Sequence, residues 1–245
     1  MNFQEKVVLV TGAAVGIGRA TALRFAELGA RLVLLDVAFE KLQRVRDEAG
    51  ALGTKVLIFD CDISDEARVG EVVAEAVRHF GKIDVLVNNA ALWRCRSAFV
   101  DTPTAEWRRF FDINVMGTVY VTQAVLPTMI AQGWGRVINV ASVAGVYGNR
   151  NMAHYSATKG AVISFTKSLA KEVAEQGITV NAVSPGSVSP AEREDVNYTQ
   201  PSELSYLGRT GSDKENAELI CFLASDGASY ITGQNIQIDG CRRKL

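Results

Sequence analysis

The fold of this chain is decided by residues 6–18, which read Lys6-Val7-Val8-Leu9-Val10-Thr11-Gly12-Ala13-Ala14-Val15-Gly16-Ile17-Gly18. The opening run 6–10 is short, apolar and β-branched, the pattern of a strand buried on both faces of a parallel sheet. Residues 17–28 then carry apolar side chains at helical spacing and end at the C-cap residue Gly29. The stretch predicts a strand, a glycine turn and a helix whose N-terminus can hold a phosphate through backbone N–H groups and the helix dipole.

The same alternation of strand and helix patterns continues along the chain. Six further strands are predicted, at residues 31–35, 55–59, 85–88, 136–140, 179–183 and 234–238. Successive strand–helix units predict a doubly wound α/β fold, a seven-stranded parallel sheet of the Rossmann type with helices on both faces. No repeat or linker divides residues 1–245, so we expect a single domain. The least regular segment, 187–209, is predicted to be a substrate lid.

Composition narrows the class of partner. The 26 Lys and Arg residues nearly cancel the 27 Asp and Glu residues, which argues against nucleic acid or an anionic membrane and favours a small-molecule substrate. The four cysteines (Cys61, Cys95, Cys221 and Cys241) are widely spaced, so we expect reduced thiols, with Cys61 and Cys221 in the core, and no metal site. With no signal segment and no apolar run of membrane-spanning length, the sequence favours a cytoplasmic enzyme.

An acidic residue closes the second predicted strand. Asp36 lies 18 residues after Gly18, close to the spacing at which a carboxylate accepts hydrogen bonds from the adenosine ribose hydroxyls of a dinucleotide. This favours NAD over NADP, because Asp36 would repel a 2′-phosphate and neither Val15 nor Val37 offers a cation. The alternative is a surface aspartate that caps a loop. Asp62 follows the third strand and could contact adenine, while Asn88-Asn89-Ala90 follow the fourth and could be structural turn residues.

Tyr155 and Lys159 are four residues apart, so on a helix they share one face. A cation beside a phenol favours phenolate, and with an oxidised nicotinamide nearby the tyrosine pKa should fall from about 10 towards working pH, giving a general acid/base. The alternative is core packing beside a solvated lysine. Ser142 follows the fifth strand and could donate a hydrogen bond to the oxygen that hydride transfer makes negative, or else simply cap a helix.

Taken together, these residues resemble the short-chain dehydrogenase/reductase family over essentially the full chain. The shared motifs occur in family order: Thr11–Gly18, Asp62, Asn88-Asn89-Ala90, Asn114, Ser142, Tyr155-Ser156-Ala157-Thr158-Lys159, Pro185-Gly186 and Ile231-Thr232-Gly233-Gln234. The resemblance implies that Tyr155 exchanges a proton with the substrate oxygen and that Ser142 donates a hydrogen bond to it. It also implies that Lys159 binds the nicotinamide ribose and that Asn114 holds a water that relays the proton outward.

The resemblance further implies a homotetramer and a set of cofactor-binding residues: Gly12, Val15, Gly16, Ile17, Gly18, Asp36, Val37, Asp62, Ile63, Asn89, Ala90, Ala91, Tyr155, Lys159, Pro185, Gly186 and Val188. The loop 184–189 is similar to the family loop that covers the nicotinamide carboxamide, with Ser189 in place of the usual threonine. Two departures stand out. Cys241 replaces the usual second glycine after the final aspartate, and segment 187–209 is short for a lid, which predicts an open or shallow cavity.

The substrate should meet residues after the fourth and fifth strands and in the lid. We predict Ser142, Tyr155, Trp93, Arg94, Tyr147 and Arg150, with Arg96, Val143, Asn149 and Tyr206 as further candidates. If Arg94 or Arg150 points inward, the substrate carries a carboxylate or phosphate; the alternative is that these arginines are solvated or lie at a subunit contact.

Three functions follow from these predictions. The first is NAD(H)-dependent hydride transfer between nicotinamide and a secondary alcohol or ketone: a small alcohol, polyol, hydroxy acid or cyclic diol. The second is reduction of a 3-oxoacyl thioester, for which NADPH would usually suit better. The third is an inactive NAD-binding regulator, against which the intact Ser142, Tyr155 and Lys159 argue.

Overall fold

Seven parallel strands form one sheet, in the spatial order β3-β2-β1-β4-β5-β6-β7. The computed structural model describes residues 1–94, 96–188 and 195–243. The strands are β1 (Val7–Thr11), β2 (Arg31–Asp36), β3 (Val56–Asp60), β4 (Val85–Asn88), β5 (Gly135–Val140), β6 (Ile178–Pro185) and β7 (Asn235–Ile238). All seven predicted strands are present, with ends that differ by one or two residues, so the predicted fold class is confirmed.

Helices cover both faces of this sheet. They are α1 (Gly16–Glu27), α2 (Phe39–Ala51), α3 (Glu66–Phe80), α4 (Thr104–Phe111), α5 (Gly117–Gln132), α6 (Val143–Tyr147), α7 (Ala153–Val173) and α8 (Asp213–Ala224), and a π-helix, Asp112–Met116, joins α4 to α5. Alternate residues of β1 point to opposite faces: Val8 and Val10 pack with α1, α2 and α8, and Val7 and Leu9 pack with α3, α5 and α7. Each face of the sheet therefore packs in a hydrophobic core, which explains why β1 is continuously apolar.

The chain reverses direction across the sheet between β1 and β4. Strands β2 and β3 lie on one side of β1, and β5 to β7 lie beyond β4. In open parallel sheets, ligands bind in the crevice outside the carboxyl ends of the strands at such a switch point. The site is therefore expected beside the turns that follow β1 and β4.

One helical run, Thr104–Gln132, is long and apolar enough by length and composition to cross a membrane. This run does not contradict the expectation of no membrane-spanning segment, because its apolar composition has a cause within the fold. The cause is that α5 covers one sheet face and buries Val121, Val125 and Met129 in that core. A helix with this role needs the same apolar composition as a membrane span.

The predicted lid, 187–209, lies only partly within the described residues, since 189–194, and with them Ser189, fall outside; so does Cys95. Two isolated bridges tie the described part to its surroundings, Val188 with Gly211 and Ser205 with Arg242, and a third, Pro201 with Arg209, lies within it. The C-terminal residues 240–243 thus run alongside residues 204–207, where Tyr206 N donates to Cys241 O at 2.9 Å. Cys61 and Cys221 are buried free thiols, as predicted.

Candidate active site

The turn between β1 and α1 has no room for side chains at its glycines. Gly12 and Gly16 have φ of +64° and +57°, a region that glycine adopts without strain. A Cβ atom on Gly18 would lie 2.0 Å from Gly12 O, and one on Gly12 would lie 2.7 Å from Ala90 Cα. The turn is therefore pressed against the residues after β4, with the α1 N-terminus at the crevice.

Asn89 holds these two turns together. Its Nδ2 donates to Thr11 O at 3.0 Å and to Gly12 O at 2.9 Å, while Thr11 Oγ1 accepts from Asn89 N at 3.0 Å and Ala90 N at 3.1 Å. Asn88 is buried and donates to Thr122 Oγ1 and to Asn139 Oδ1. These side-chain hydrogen bonds give both asparagines the structural role, and the binding of a cofactor by Asn89 stays a prediction.

The Asp36 carboxylate is fixed at the end of β2. Its Oδ2 accepts from Ala14 N and its Oδ1 accepts from Ala38 N, both at 2.9 Å. The negative charge therefore has one defined orientation beside the glycine turn.

These elements line a cavity of about 830 Å³, within the range of roughly 300–1,000 Å³ typical of ligand sites. Of the predicted cofactor residues only Gly18 is absent from its lining, because Gly18 lies buried beneath the turn. The others all line it: Gly12, Val15, Gly16, Ile17, Asp36, Val37, Asp62, Ile63, Asn89, Ala90, Ala91, Tyr155, Lys159, Pro185, Gly186 and Val188.

Tyr155 and Lys159 project from the start of α7 into the same cavity. The Lys159 Nζ donates to Val140 O at 2.7 Å and lies 6.0 Å from the centre of the Tyr155 ring. Burial lowers the pKa of Lys159 to about 8. Burial also raises the pKa of Tyr155, and only the hydrogen bond with Ser142 opposes that shift.

The expected fall of the tyrosine pKa depends on an oxidised nicotinamide as well as on Lys159, and it stays a prediction. The helical pair does not produce that fall by itself, because the phenol is desolvated and the ammonium is directed towards the carbonyl of Val140. In this arrangement Tyr155 is a neutral phenol, which is a proton donor.

Ser142 both caps α6 and contacts Tyr155. Its Oγ accepts from Ala144 N at 3.1 Å at the start of the helix, and its side chain also hydrogen-bonds with Tyr155. The position of α6 depends on Gly145, where a Cβ atom would lie 2.6 Å from the backbone carbon of Lys159. This close approach holds Ser142 beside Tyr155 and Lys159, and no motif in the sequence pointed to Gly145.

Asn114 lies in the π-helix with its side chain 1% exposed. Its Oδ1 accepts from Leu92 N at 2.7 Å, and its Nδ2 donates to Leu92 O at 3.0 Å and to Thr158 Oγ1 at 3.1 Å. The amide thus joins α7 to the loop after β4. Its relay of a proton through water stays a prediction, and the side chain itself acts as a positioning group.

The structure brings only part of the predicted substrate set to the cavity. Trp93, Arg96, Ser142, Asn149 and Tyr155 line it. Arg94, Tyr147 and Arg150, like Val143 and Tyr206, are not among its lining residues. The Arg94 guanidinium packs over the Trp93 ring at 5.0 Å, and Tyr147, the last residue of α6, is 51% exposed.

The sequence analysis missed several lining residues. Arg109 and Ile113 come from the α4 region and Met152 from the loop before α7. No spacing or motif in the sequence relates these positions to Tyr155, because their approach depends on how α4 packs against α7.

Comparison with known proteins settles the family. A family model described as enoyl-(acyl carrier protein) reductase matches residues 12–241. The chain belongs to the short-chain dehydrogenase/reductase family. This short-chain dehydrogenase/reductase is 43% identical over 243 residues to the 3-oxoacyl-acyl-carrier-protein reductase of Thermotoga maritima, with 98% of each chain covered.

Two solved structures are also similar. NAD⁺-bound xylitol dehydrogenase matches with a TM-score of 0.90 and 37% identity, covering 98% of this chain and 100% of that one. Levodione reductase matches with a TM-score of 0.91 and 33% identity, covering 98% of both. The predicted enzyme class is confirmed: the protein is an oxidoreductase of CH–OH or keto groups that uses a nicotinamide cofactor.

Proposed function

We propose that this short-chain dehydrogenase/reductase uses NAD(H) and interconverts a small secondary alcohol and its ketone. The observation that carries the cofactor choice is the Asp36 carboxylate, which two backbone N–H groups orient beside the glycine turn. A carboxylate there suits ribose hydroxyls as partners and repels a 2′-phosphate.

The residues present fit a dinucleotide. Side chains at Gly12 and Gly18 would clash with Gly12 O, Asn89 and Ala90, so these glycines allow the tight turn that brings the α1 N-terminus to the crevice. A pyrophosphate there would meet the helix dipole. Asp36 would hold the adenosine ribose, and Tyr155 with Lys159 would hold the nicotinamide ribose. When bound, the nicotinamide supplies or takes up the hydride.

The protein's own groups handle the proton and the charge on oxygen. In the direction of reduction, Tyr155 Oη donates its proton to the substrate oxygen, and Ser142 Oγ hydrogen-bonds to the same oxygen. In oxidation the proton returns to Tyr155. Lys159 Nζ, bonded to Val140 O, lies 6.0 Å from the centre of the Tyr155 ring and keeps a positive charge near the phenol.

A fluorescence titration with NADH and with NADPH tests the cofactor. We expect the wild type to bind NADH more tightly than NADPH, and Asp36→Asn to lose most of that preference. Asp62→Asn is the matched control, since Asp62 lines the same cavity but bonds Ser64. A wild-type preference for NADPH, or an unchanged preference in Asp36→Asn, would overturn the proposal.

A second candidate is reduction of a 3-oxoacyl thioester, which the 43% identity to the Thermotoga maritima enzyme favours. Turnover of acetoacetyl-coenzyme A, compared with cyclohexanone and xylitol in the appropriate direction, separates the two. A strong preference for the thioester would replace the small alcohol as the substrate.

We further propose that the enzyme works in the cytoplasm as a homotetramer. The buried free thiols of Cys61 and Cys221 suit a reducing compartment. The assembly is tested by sedimentation at micromolar protein concentration, where a monomer alone would contradict the tetramer.

A further inference from the structure

Two arginines line the cavity beside the catalytic residues. Arg96 lies in the loop after β4, and Arg109 lies in the last turn of α4. Neither guanidinium forms an ion pair with a side chain within 1–94, 96–188 or 195–243. Both are exposed, so in the free enzyme their charges are solvated and available to a ligand.

Packing places both arginines at the catalytic end. Phe110, next to Arg109, contacts the Tyr155 ring edge-on with ring centres 6.5 Å apart. Ser97 N, next to Arg96, donates to Asn151 O at 3.1 Å in the loop before α7. Both cations therefore flank the first turn of α7, from which Tyr155 projects.

The negative charges of the cavity lie elsewhere. Within the described residues its acidic lining groups are Asp36, Asp62 and Asp213. Asp36 and Asp62 follow β2 and β3, on the far side of β1 from the catalytic strand β5. Asp213 is the first residue of α8, and the positive charge of Arg19 in α1 lowers its pKa against the effect of burial. The catalytic end is therefore positive and the opposite end negative.

Apolar groups also line this part of the cavity. Leu92, Trp93, Ile113 and Met152 line the cavity in the same segments. An apolar wall excludes water and strengthens a charge-assisted bond, and a guanidinium binds a carboxylate through two parallel N–H donors. The lining thus suits a compact apolar body that carries a hydroxyl or keto group and a carboxylate.

We propose that the substrate is a small hydroxy or oxo acid whose carboxylate is bound by Arg96 and Arg109 while its reacting oxygen meets Tyr155 and Ser142. This inference rests on the proposed function. It replaces Arg94 and Arg150, which sequence reasoning suggested for an anionic group, with two arginines that line the cavity.

The test compares matched ketones that differ only in charge, with NADH as reductant. The pairs are 3-oxobutanoate, 4-oxopentanoate and 3-oxocyclohexane-1-carboxylate, each against its methyl ester. We expect at least one acid to exceed its ester in kcat/KM by about 10- to 100-fold, the range for a hydrogen bond to a charged group. In Arg96→Gln and in Arg109→Gln, the preference for the acid over its ester should shrink because KM for the acid rises.

Arg108→Gln is the matched control, because Arg108 neighbours Arg109 on α4, is exposed and is not a lining residue. The inference would be overturned if the esters and cyclohexanone were reduced as well as the acids, or if the preference for the acid persisted in both variants. Either result would still agree with the proposed dehydrogenase function. No turnover of any ketone would overturn both. A preference confined to dihydroxyacetone phosphate over dihydroxyacetone would make phosphate the bound anion and reject the carboxylate.

Discussion

At the scale of single residues, Lys159 shows how a catalytic group weakens the fold. Its side chain is 4% exposed, and burial holds its pKa at about 8, below the ordinary 10.5. The unfolded chain therefore binds more protons between these values, so stability rises as the pH rises from about 8 towards 10.5.

We predict that Lys159→Met lowers kcat by about 100-fold or more and leaves the free protein at least as stable as wild type. The rise in stability at alkaline pH should disappear with the ammonium. Urea unfolding on both sides of the Lys159 pKa measures this, with the exposed Lys167→Met on the same helix as control. A variant clearly less stable than wild type would show that the bond to Val140 O outweighs the cost of burying the charge.

Cys241 is a second residue that lowers the stability of the folded protein, here through its backbone conformation. It occupies the position where the family usually has glycine, and its φ is +58°. A side chain in the left-handed region costs roughly 1–2 kcal/mol, which glycine avoids at the expense of chain entropy.

We predict that Cys241→Gly stabilises the protein by up to about 1 kcal/mol. Cys241→Ser keeps the Cβ atom and should show no gain. Denaturant midpoints of the three proteins decide the matter, and equal midpoints for the glycine and serine variants would show that the strain is not relieved.

At the scale of elements, the strands were predictable and the joints between helices were not. The largely apolar runs at 31–35 and 136–140 are buried on both faces of a parallel sheet, so hydrophobicity alone reveals them. The π-helix Asp112–Met116 left no such signal, because it accommodates the bonds of Asn114 to Leu92 and Thr158, partners distant in sequence. Arg109 and Gly145 were not predicted for the same reason, since their neighbours in the structure are also distant in sequence.

The contact of α6 with α7 gives a test of how these elements position the site. We predict that Gly145→Ala destabilises the protein by about 1–3 kcal/mol, as overpacking does, and lowers kcat/KM by at least about 10-fold. Gly160→Ala is the control, since its Cβ atom would lie 3.5 Å from Gly145 O, an ordinary contact. Similar kinetics for both variants would show that Ser142 does not depend on this packing.

At the scale of the whole molecule, two carboxyl groups at the start of α8 affect stability in opposite directions. Burial raises the pKa of Asp213 from 3.8 to about 6, with Arg19 opposing, so stability falls as the pH rises between these values. The hydrogen bond from Arg209 lowers the pKa of Glu215 from 4.5 to about 2, so its contribution is lost in acid.

We predict that Asp213→Asn raises the free energy of unfolding by about 1–3 kcal/mol at pH values above the Asp213 pKa. The variant should also lack the decline in stability that the wild type shows as the pH rises from 3.8 to about 6. Melting temperatures across the acidic to neutral range measure this. The control is Asp62→Asn, at an exposed carboxyl group in the same cavity, which should leave the decline in place. A wild-type curve that rises through this range would contradict the prediction.

The pairing of residues 240–243 with 204–207 has a practical consequence for handling the protein. Arg242 also donates to Asn149 Oδ1 at 2.8 Å, and Asn149 lines the cavity. An affinity tag fused after Leu245 would be separated from Arg243 by only two residues and would start near the cavity. A tag at the N-terminus would precede β1, at the amino ends of the strands and away from the crevice, and is the better choice for purification and immobilisation.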